Sequence, residues 1–315
     1  WALRTTDMLG NGRSGEGDGG FALADIDNDG DADLFFITTW QEDEDWFTSI
    51  AFYENTGSPT APAWTFVTDT YADITCEEYV SIAFADIDDD GDLDLFLGQT
   101  NRITHYRNDG TANAPVWTFV TDTYGGIGLP YGWAVMHFVL TFGDLDGSGT
   151  LDLVVGQPLG WLTSFKNTGT PANASWTLWV YGMLSMDYGH STNPALADID
   201  NDGDLDLFLG SANGLNDAYF IFLRNDGTLA APEWTYVTGG YVGADPDTGL
   251  QHPAFVDIDG DGDLDLFIGD GPFFDFHDCT LRYYENTGTP GVAVFTLITD
   301  TYLGIVGPSA AVAPA

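Results

Sequence analysis

Aspartate recurs at every second position in five short stretches of this chain, each with a glycine at its sixth place. The stretches hold Asp25, Asp27, Asp29, Asp31 and Asp33 around Gly30, and Asp86, Asp88, Asp90, Asp92 and Asp94 around Gly91. They continue with Asp144, Asp146, Ser148, Thr150 and Asp152 around Gly149, then Asp198, Asp200, Asp202, Asp204 and Asp206 around Gly203. The last holds Asp257, Asp259, Asp261, Asp263 and Asp265 around Gly262. A turn at the glycine can curl such a stretch so that the carboxylates at places one, three and five face one point. Place seven would add a backbone carbonyl, and the ninth aspartate could close the ring through both oxygens. Six or seven oxygen ligands suit calcium and fit magnesium poorly. With no His or Cys inside the loops, zinc is not the fitting ion.

Aspartates also form turns without any ion. Here that alternative is costly, because carboxylates about 4 Å apart repel by roughly 1–4 kcal/mol per pair. Several pairs in each of five loops would threaten a net stability of roughly 5–15 kcal/mol. An EF-hand starts with the same alternation but needs a glutamate at place twelve and flanking helices. Place twelve here is Phe36, Leu97, Val155, Leu209 or Ile268, so the EF-hand reading fails. In the third loop Ser148 and Thr150 replace two aspartates, which makes it the weakest expected site.

The elements that position the loops repeat with them. First aspartates lie 61, 58, 54 and 59 residues apart, a period that marks a repeat fold. A short apolar stretch precedes each loop and another follows it, as in Phe21–Ala24 and Leu34–Phe36. Continuous apolar runs of this length read as strands buried on both faces. A third stretch ends in Asn-x-Gly, at Asn55, Asn108, Asn167, Asn225 and Asn286, and reads as a hairpin because Asn and Gly tolerate positive φ. A fourth alternates, from Trp64, Trp117, Trp176, Trp234 or Phe295, as a half-buried strand does. Four antiparallel strands repeated five times describe an all-β, five-bladed β-propeller, with an acidic loop between the first and second strands of each blade. The repeats cover about 20–68, 81–121, 137–180, 194–238 and 253–298, within one array spanning 1–306 and followed by a tail at 307–315.

The acidic loop between short apolar strands resembles the FG-GAP/VCBS repeats of integrin α-subunit propellers and of many bacterial surface proteins. The Asn-Thr-Gly phrase followed by Trp-Thr is similar to the bacterial VCBS type. The resemblance implies calcium in the loops and an adhesive, lectin-like, enzyme-associated or structural role.

Composition limits the partners. The chain has 315 residues, a net charge of −42, one lysine (Lys166) and six arginines. About half of its 49 acids lie in the five loops, so five divalent ions would relieve the acidity only in part. Such a surface repels nucleic acid and anionic membranes, and no apolar run reaches the roughly 18 residues of a membrane span. The chain reads as a mature secreted or cell-surface protein, or as a fragment of a longer one. Cys76 and Cys279 match no zinc or redox spacing and read as either a disulfide or two buried thiols.

Residues 1–6 resemble a fourth strand, yet Val294–Ile298 already supplies the fifth repeat with its own. The surplus strand reads as the remnant of a lost blade, as outer packing, or as a strand added to a neighbour's open edge, which would build a homo-oligomer or fibre. Trp40, Trp46, Tyr79, Tyr131, Trp133, Tyr188, Phe273 and Phe276 fall in the longer connections, read at 69–80, 122–136, 181–193, 39–49 and 270–279 among others, and could form a glycan- or protein-binding face. His137, His190 and His252 precede first strands and could approach the axis. No Ser-His-Asp or Cys-His set is visible, so catalysis of glycosidase type ranks third. The leading expectation is a non-catalytic extracellular calcium-binding propeller with a structural or adhesive role. A carbohydrate-binding propeller is the alternative.

Overall fold

A computed structural model describes residues 20–304 apart from 43–44, 59–60, 77–79, 128–137, 158–159, 182–189, 214–216, 229, 244–249, 272–279 and 290. Five antiparallel sheets follow one another along the chain. The first holds β1 (Phe21–Ala24), β2 (Asp33–Glu42), β3 (Asp45–Asn55) and β4 (Trp64–Thr68), with β5 (Thr75–Cys76) pairing further along β3. The second holds β6 (Ser81–Ala85), β7 (Asp94–Gln99), β8 (Arg102–Asn108) and β9 (Trp117–Thr121). The third holds β10 (Val139–Gly143), β11 (Asp152–Gly156), β12 (Leu162–Asn167) and β13 (Trp176–Tyr181). The fourth holds β14 (His190–Ala197), β15 (Asp206–Asn213), β16 (Asp217–Asn225) and β17 (Trp234–Thr238). The fifth holds β18 (Leu250–Val256), β19 (Asp265–Gly271), β20 (Thr280–Asn286) and β21 (Phe295–Thr299).

The first strands of all five sheets, β1, β6, β10, β14 and β18, line one central channel of about 200 Å³. They touch in ring order, and β1 meets β18 to close the circle. The molecule is thus the expected five-bladed propeller. Short 3-10 turns are the only helical structure among the described residues.

The apolar runs of the second strands are explained by the seams between blades. Successive side chains of a strand point to opposite faces, and each inner strand has a blade on either side. Leu34 and Phe36 pack with Phe267 of blade five, whereas Phe35 and Ile37 pack with Leu95 and Leu97 of blade two. Phe96 then packs with Leu153 and Val155, and Phe208 with Leu266 and Ile268. Four seams are filled by a phenylalanine from the preceding blade. The seam between blades three and four has Val154 instead.

A tyrosine in the turn after the outer strand seals most seams a second time. The Trp117 indole N–H donates to the Tyr71 hydroxyl at 3.2 Å, and Trp64 donates to Tyr302 at 3.0 Å. The second contact joins residues 238 apart and ties blade five to blade one. Tyr124 meets Trp176, and Tyr241 meets Phe295 edge-on. Each described blade is built from one continuous stretch of chain, and β21 is blade five's own fourth strand, as the sequence suggests. Residues 1–6, read as a surplus strand, and the tail at 307–315 lie outside the described residues.

Several boundaries differ from expectation. The fourth and fifth repeats, read from 194 and 253, begin earlier, with β14 at His190 and β18 at Leu250. The stretch 39–49, read as a loop, is mostly strand, because β2 and β3 stay paired from Thr38↔Ser49 to Glu42↔Asp45. The apolar run ends at the core, but the ladder continues through Thr, Trp and Phe, which favour extended backbone. Of the connection read at 270–279, Asp270 and Gly271 belong to β19, and 272–279 lie outside the described residues.

Phe208 is fully buried and stacks on Phe222 at 4.7 Å, with Phe255 at 4.4 Å and Tyr241 at 5.2 Å. Phe208→Ala should cost about 3–5 kcal/mol, the usual loss for a large buried aromatic. Equilibrium urea unfolding checks this, and a loss under about 1 kcal/mol would contradict the assigned seam packing.

Candidate metal centres

Each acidic loop joins a blade's first strand to its second. In all five loops the first carboxylate organises the turn: Asp25 Oδ1 accepts the Asp29 N–H at 3.1 Å, and Oδ2 accepts the Gly30 N–H at 3.0 Å. Asp86, Asp144 and Asp198 make the same two contacts to the N–H groups four and five residues on. Asp257 does so too, and also accepts the Gly260 N–H at 2.7 Å. The glycine at place six is required by its backbone, with φ of 96°, 92°, 80°, 95° and 94° in loops one to five, a region costly for other residues.

Place four carries a second backbone requirement, absent from the motif as read from the aspartates and the sixth glycine. Asn28, Asp89, Gly147, Asn201 and Gly260 all have φ between 57° and 71°. The signal was present, since only Asn, Asp and Gly, the residues that tolerate this region, occur there.

The curled loops bring carboxylates together as expected. Potential ligand atoms lie within 4.8 Å of one another in Asp25/Asp27/Asp29, Asp86/Asp88/Asp90 and Asp198/Asp200/Asp202. In blade three the set is Asp144/Asp146/Asp152, and in blade five it is Asp257/Asp259/Asp265. Among the described residues these are the groups of three or more potential ligands, so each blade could hold a metal ion.

The donor set fits a hard cation, being all oxygen. One buried carboxylate oxygen each of Asp27, Asp88 and Asp200 has no hydrogen-bond partner, and the same holds for Asp31 and Asp263 at place seven. Burial first, then neighbouring carboxylates, pushes the carboxyls of Asp31, Asp88, Asp200, Asp204 and Asp263 above the usual range. A group so placed gains from a cation. At place seven, Asp31 and Asp263 therefore bury the side chain itself, beyond the backbone carbonyl expected there. Asp92 at the same place donates its N–H to Asp90 Oδ1 at 3.0 Å.

The ninth aspartate has a duty besides ligation. Asp33 Oδ1 accepts the Asn55 N–H at 2.8 Å, and Oδ2 accepts the Ile26 N–H at 3.3 Å. Asp94, Asp152, Asp206 and Asp265 bind the N–H of Asn108, Asn167, Asn225 and Asn286 at 2.7–2.8 Å. Each asparagine then uses its side chain. Asn55 Oδ1 accepts the N–H groups of Gly57 and Ala63, at 3.2 and 2.9 Å, and the other four repeat the pattern. The Asn-x-Gly hairpin exists, but for another reason than positive φ, which neither residue adopts in any blade. Asparagine is there as a buried acceptor. Glycine is there because a Cβ at Gly57 would collide with the Ala61 carbonyl oxygen.

Other sequence candidates divide. Trp40 and Trp46 lie on the paired strands β2 and β3. Tyr79, Tyr131, Trp133, Tyr188, Phe273, Phe276 and His137 lie outside the described residues, as does Cys279. His190 opens β14 and His252 lies in β18. Cys76 carries a free thiol that burial pushes up to about 12. A histidine not singled out, His105, sets Nε2 3.3 Å from Asp94 Oδ2 and stacks on Phe96.

The FG-GAP-like repeat model matches residues 25–97, 86–155, 144–209 and 198–268. The chain belongs to the FG-GAP-like repeat family. Each match runs from one acidic loop through the next. No curated protein sequence matches this chain. Among solved structures, an Agrocybe aegerita lectin that recognises non-reducing terminal N-acetylglucosamine is similar, with 17% identity and a TM-score of 0.44 over 91% of this chain and 68% of that one. The Photorhabdus luminescens Tc holotoxin pore is similar at 16% identity and a TM-score of 0.34, over 85% of this chain and 14% of that one.

Burial raises the carboxyls of Asp33 and Asp206 to about 7 and of Asp265 to about 6. Folded-state values above the ordinary 3.8 mean that the folded form binds the extra protons. Stability is then present below the unfolded pKa and lost as pH rises through the folded one. Chelated protein should therefore lose thermal stability between about pH 4 and 7, and the gain from added divalent cation should grow over the same window. Scanning calorimetry with and without chelator checks this; a chelated protein whose stability rises steadily from pH 4 to 8 would contradict it.

Proposed function

We propose that this chain is an extracellular, calcium-held β-propeller that serves as a structural or adhesive module. The observation that carries the reading is the convergence of three carboxylates in every acidic loop, with a buried, unpartnered carboxylate oxygen beside or among them in blades one, two, four and five. Seven Lys and Arg residues against 49 acids leave the protein few cations of its own. Calcium accepts irregular sets of six to eight oxygens, and extracellular modules bind it at roughly 10⁻⁴–10⁻³ M. An extracellular setting supplies that concentration. No helix among the described residues is long and apolar enough to cross a membrane.

The rim supports the adhesive part of the reading. The outer strands expose Phe66 and Val67, Phe119 and Val120, Leu178 and Val180, Tyr236 and Val237, and Leu297 and Ile298. Among the described residues each outer strand also has one edge without a sheet partner. Apolar edges without lysine are surfaces on which further strands or partners can add. The first carboxylates of the acidic loops are engaged by backbone N–H groups, which favours a binding role over catalysis.

Two measurements test the proposal. Calcium at about 10 mM should raise the melting temperature by roughly 10–20 °C through several sites of this affinity class, with magnesium giving much less. Absence of any shift removes calcium from the reading. Sedimentation in calcium should show self-association through the rim, weakened by Val120→Lys together with Val237→Lys. A strictly monomeric species at all concentrations would remove the self-assembling form of the role.

A further inference from the structure

We propose that the third acidic loop carries its own cation, the ammonium of Lys166, so that this propeller takes up four metal ions and not five. The inference rests on the calcium reading of the other loops and concerns how this chain departs from it.

Four departures from the repeat meet at one place in blade three. Ser148 and Thr150 stand where other loops have aspartates, Lys166 precedes the hairpin asparagine, and Trp179 replaces the Val or Ile of the other outer strands. Lys166 Nζ forms an ion pair with Asp146 Oδ2, on a carboxylate whose side chain is only 3% exposed. The same nitrogen sits 5.7 Å from the centre of the Trp179 ring. A cation held between a buried carboxylate and an indole face is attracted by both.

The polar atoms of Ser148, Thr150 and Asp152 are already engaged, and Asp146 Oδ2, which accepts no hydrogen bond, is met by the lysine ion pair. Ser148 Oγ and Thr150 Oγ1 are hydrogen-bonded to each other at 2.8 Å, and Thr150 Oγ1 donates to the Asn167 carbonyl at 3.2 Å. Asp152 accepts the Asn167 and Leu145 N–H groups at 2.8 and 3.1 Å. In the other four blades the same region leaves carboxylate oxygens of Asp27, Asp31, Asp88, Asp200 and Asp263 buried without partners.

The residue matching Lys166 explains why the ammonium acts only here. It is Glu54 in blade one, Arg107 in two, Arg224 in four and Glu285 in five. Arg107 and Arg224 form their ion pairs with Asp109 and Asp226, each at 2.7 Å, and act on Asp88 and Asp200 only through a lesser electrostatic pull. In blade three that turn residue is Thr168, so no turn aspartate competes with Asp146 for the lysine. Glu54 instead adds negative charge near Asp27.

Native mass spectrometry of the full chain in graded calcium tests the proposal. Wild type should bind four ions, Lys166→Gln five and Lys166→Arg four. Five ions on wild type, or four on folded Lys166→Gln, would overturn it. Zero ions on every variant would instead bring down the calcium reading itself, and this inference with it. Should Lys166→Gln fold poorly, wild type still decides, because Lys166 is the sole lysine. Its acylation rate by a succinimidyl ester, read by peptide mapping, should not change when calcium is added. A several-fold rise with calcium would mean that a metal displaces the ammonium, and would overturn the proposal.

Discussion

One buried carboxylate per blade, the ninth aspartate of each loop, joins everything else in the molecule. Its Oδ1 accepts the N–H of an asparagine at the end of the third strand, at 2.7–2.8 Å in all five blades. That asparagine holds the hairpin leading to the rim strand through two backbone donors. The acidic loop, the middle of the blade and the rim are therefore one hydrogen-bonded unit. Backbone donors favour the ionised carboxylate while burial opposes it. In Asp33, Asp206 and Asp265 burial is the larger influence. A cation at the loop would shift that balance and so stiffen the whole unit.

The seams supply the second constraint. A strand buried on both faces must satisfy two neighbours at once, so the Asp-Leu-Phe phrase divides its side chains. The leucine faces the preceding blade, and the phenylalanine fills the following seam. Between blades three and four Val154 takes the phenylalanine's place, and the Tyr-turn phrase found after the other outer strands is replaced by Met183 at the matching position. A cavity of about 520 Å³ opens there, lined by Trp179, Trp234, Ser164 and Pro232 among others. Blade three is thus irregular in its loop and in its packing, and Trp179 belongs to both departures.

The sequence made the blades legible because their signals are local. Alternating aspartates, the sixth glycine and short apolar runs each reflect the conformation of the residues that carry them. What stayed hidden depends on partners distant in the chain. The duty of Asn55 is visible only once Asp33 is beside it, 22 residues away. Tyr302 looks like a loop residue until Trp64 meets it across the ring closure. The ends of β2 and β3 are not visible in the sequence because an apolar run reports burial, while the ladder there continues past the apolar run. The surplus strand expected at residues 1–6 lies outside the described residues.

Near-identical loops need not be equivalent sites, and the reason is register. The residue just before the hairpin asparagine lies one strand away from the loop, on the adjoining stretch of sheet, and is free of the constraints that fix the aspartates. It is Glu in blades one and five, Arg in two and four, and Lys in three. Charges a few ångströms from a partly buried cluster act with weak screening, so this one position can grade the pull of five otherwise similar loops. Where arginine occurs, an aspartate two residues on engages it and offsets part of its pull on the loop. Where lysine occurs, the aspartate is absent and the field is cancelled. The pairing of Arg with Asp and of Lys with Thr at these places ties cation demand to a position outside the acidic motif.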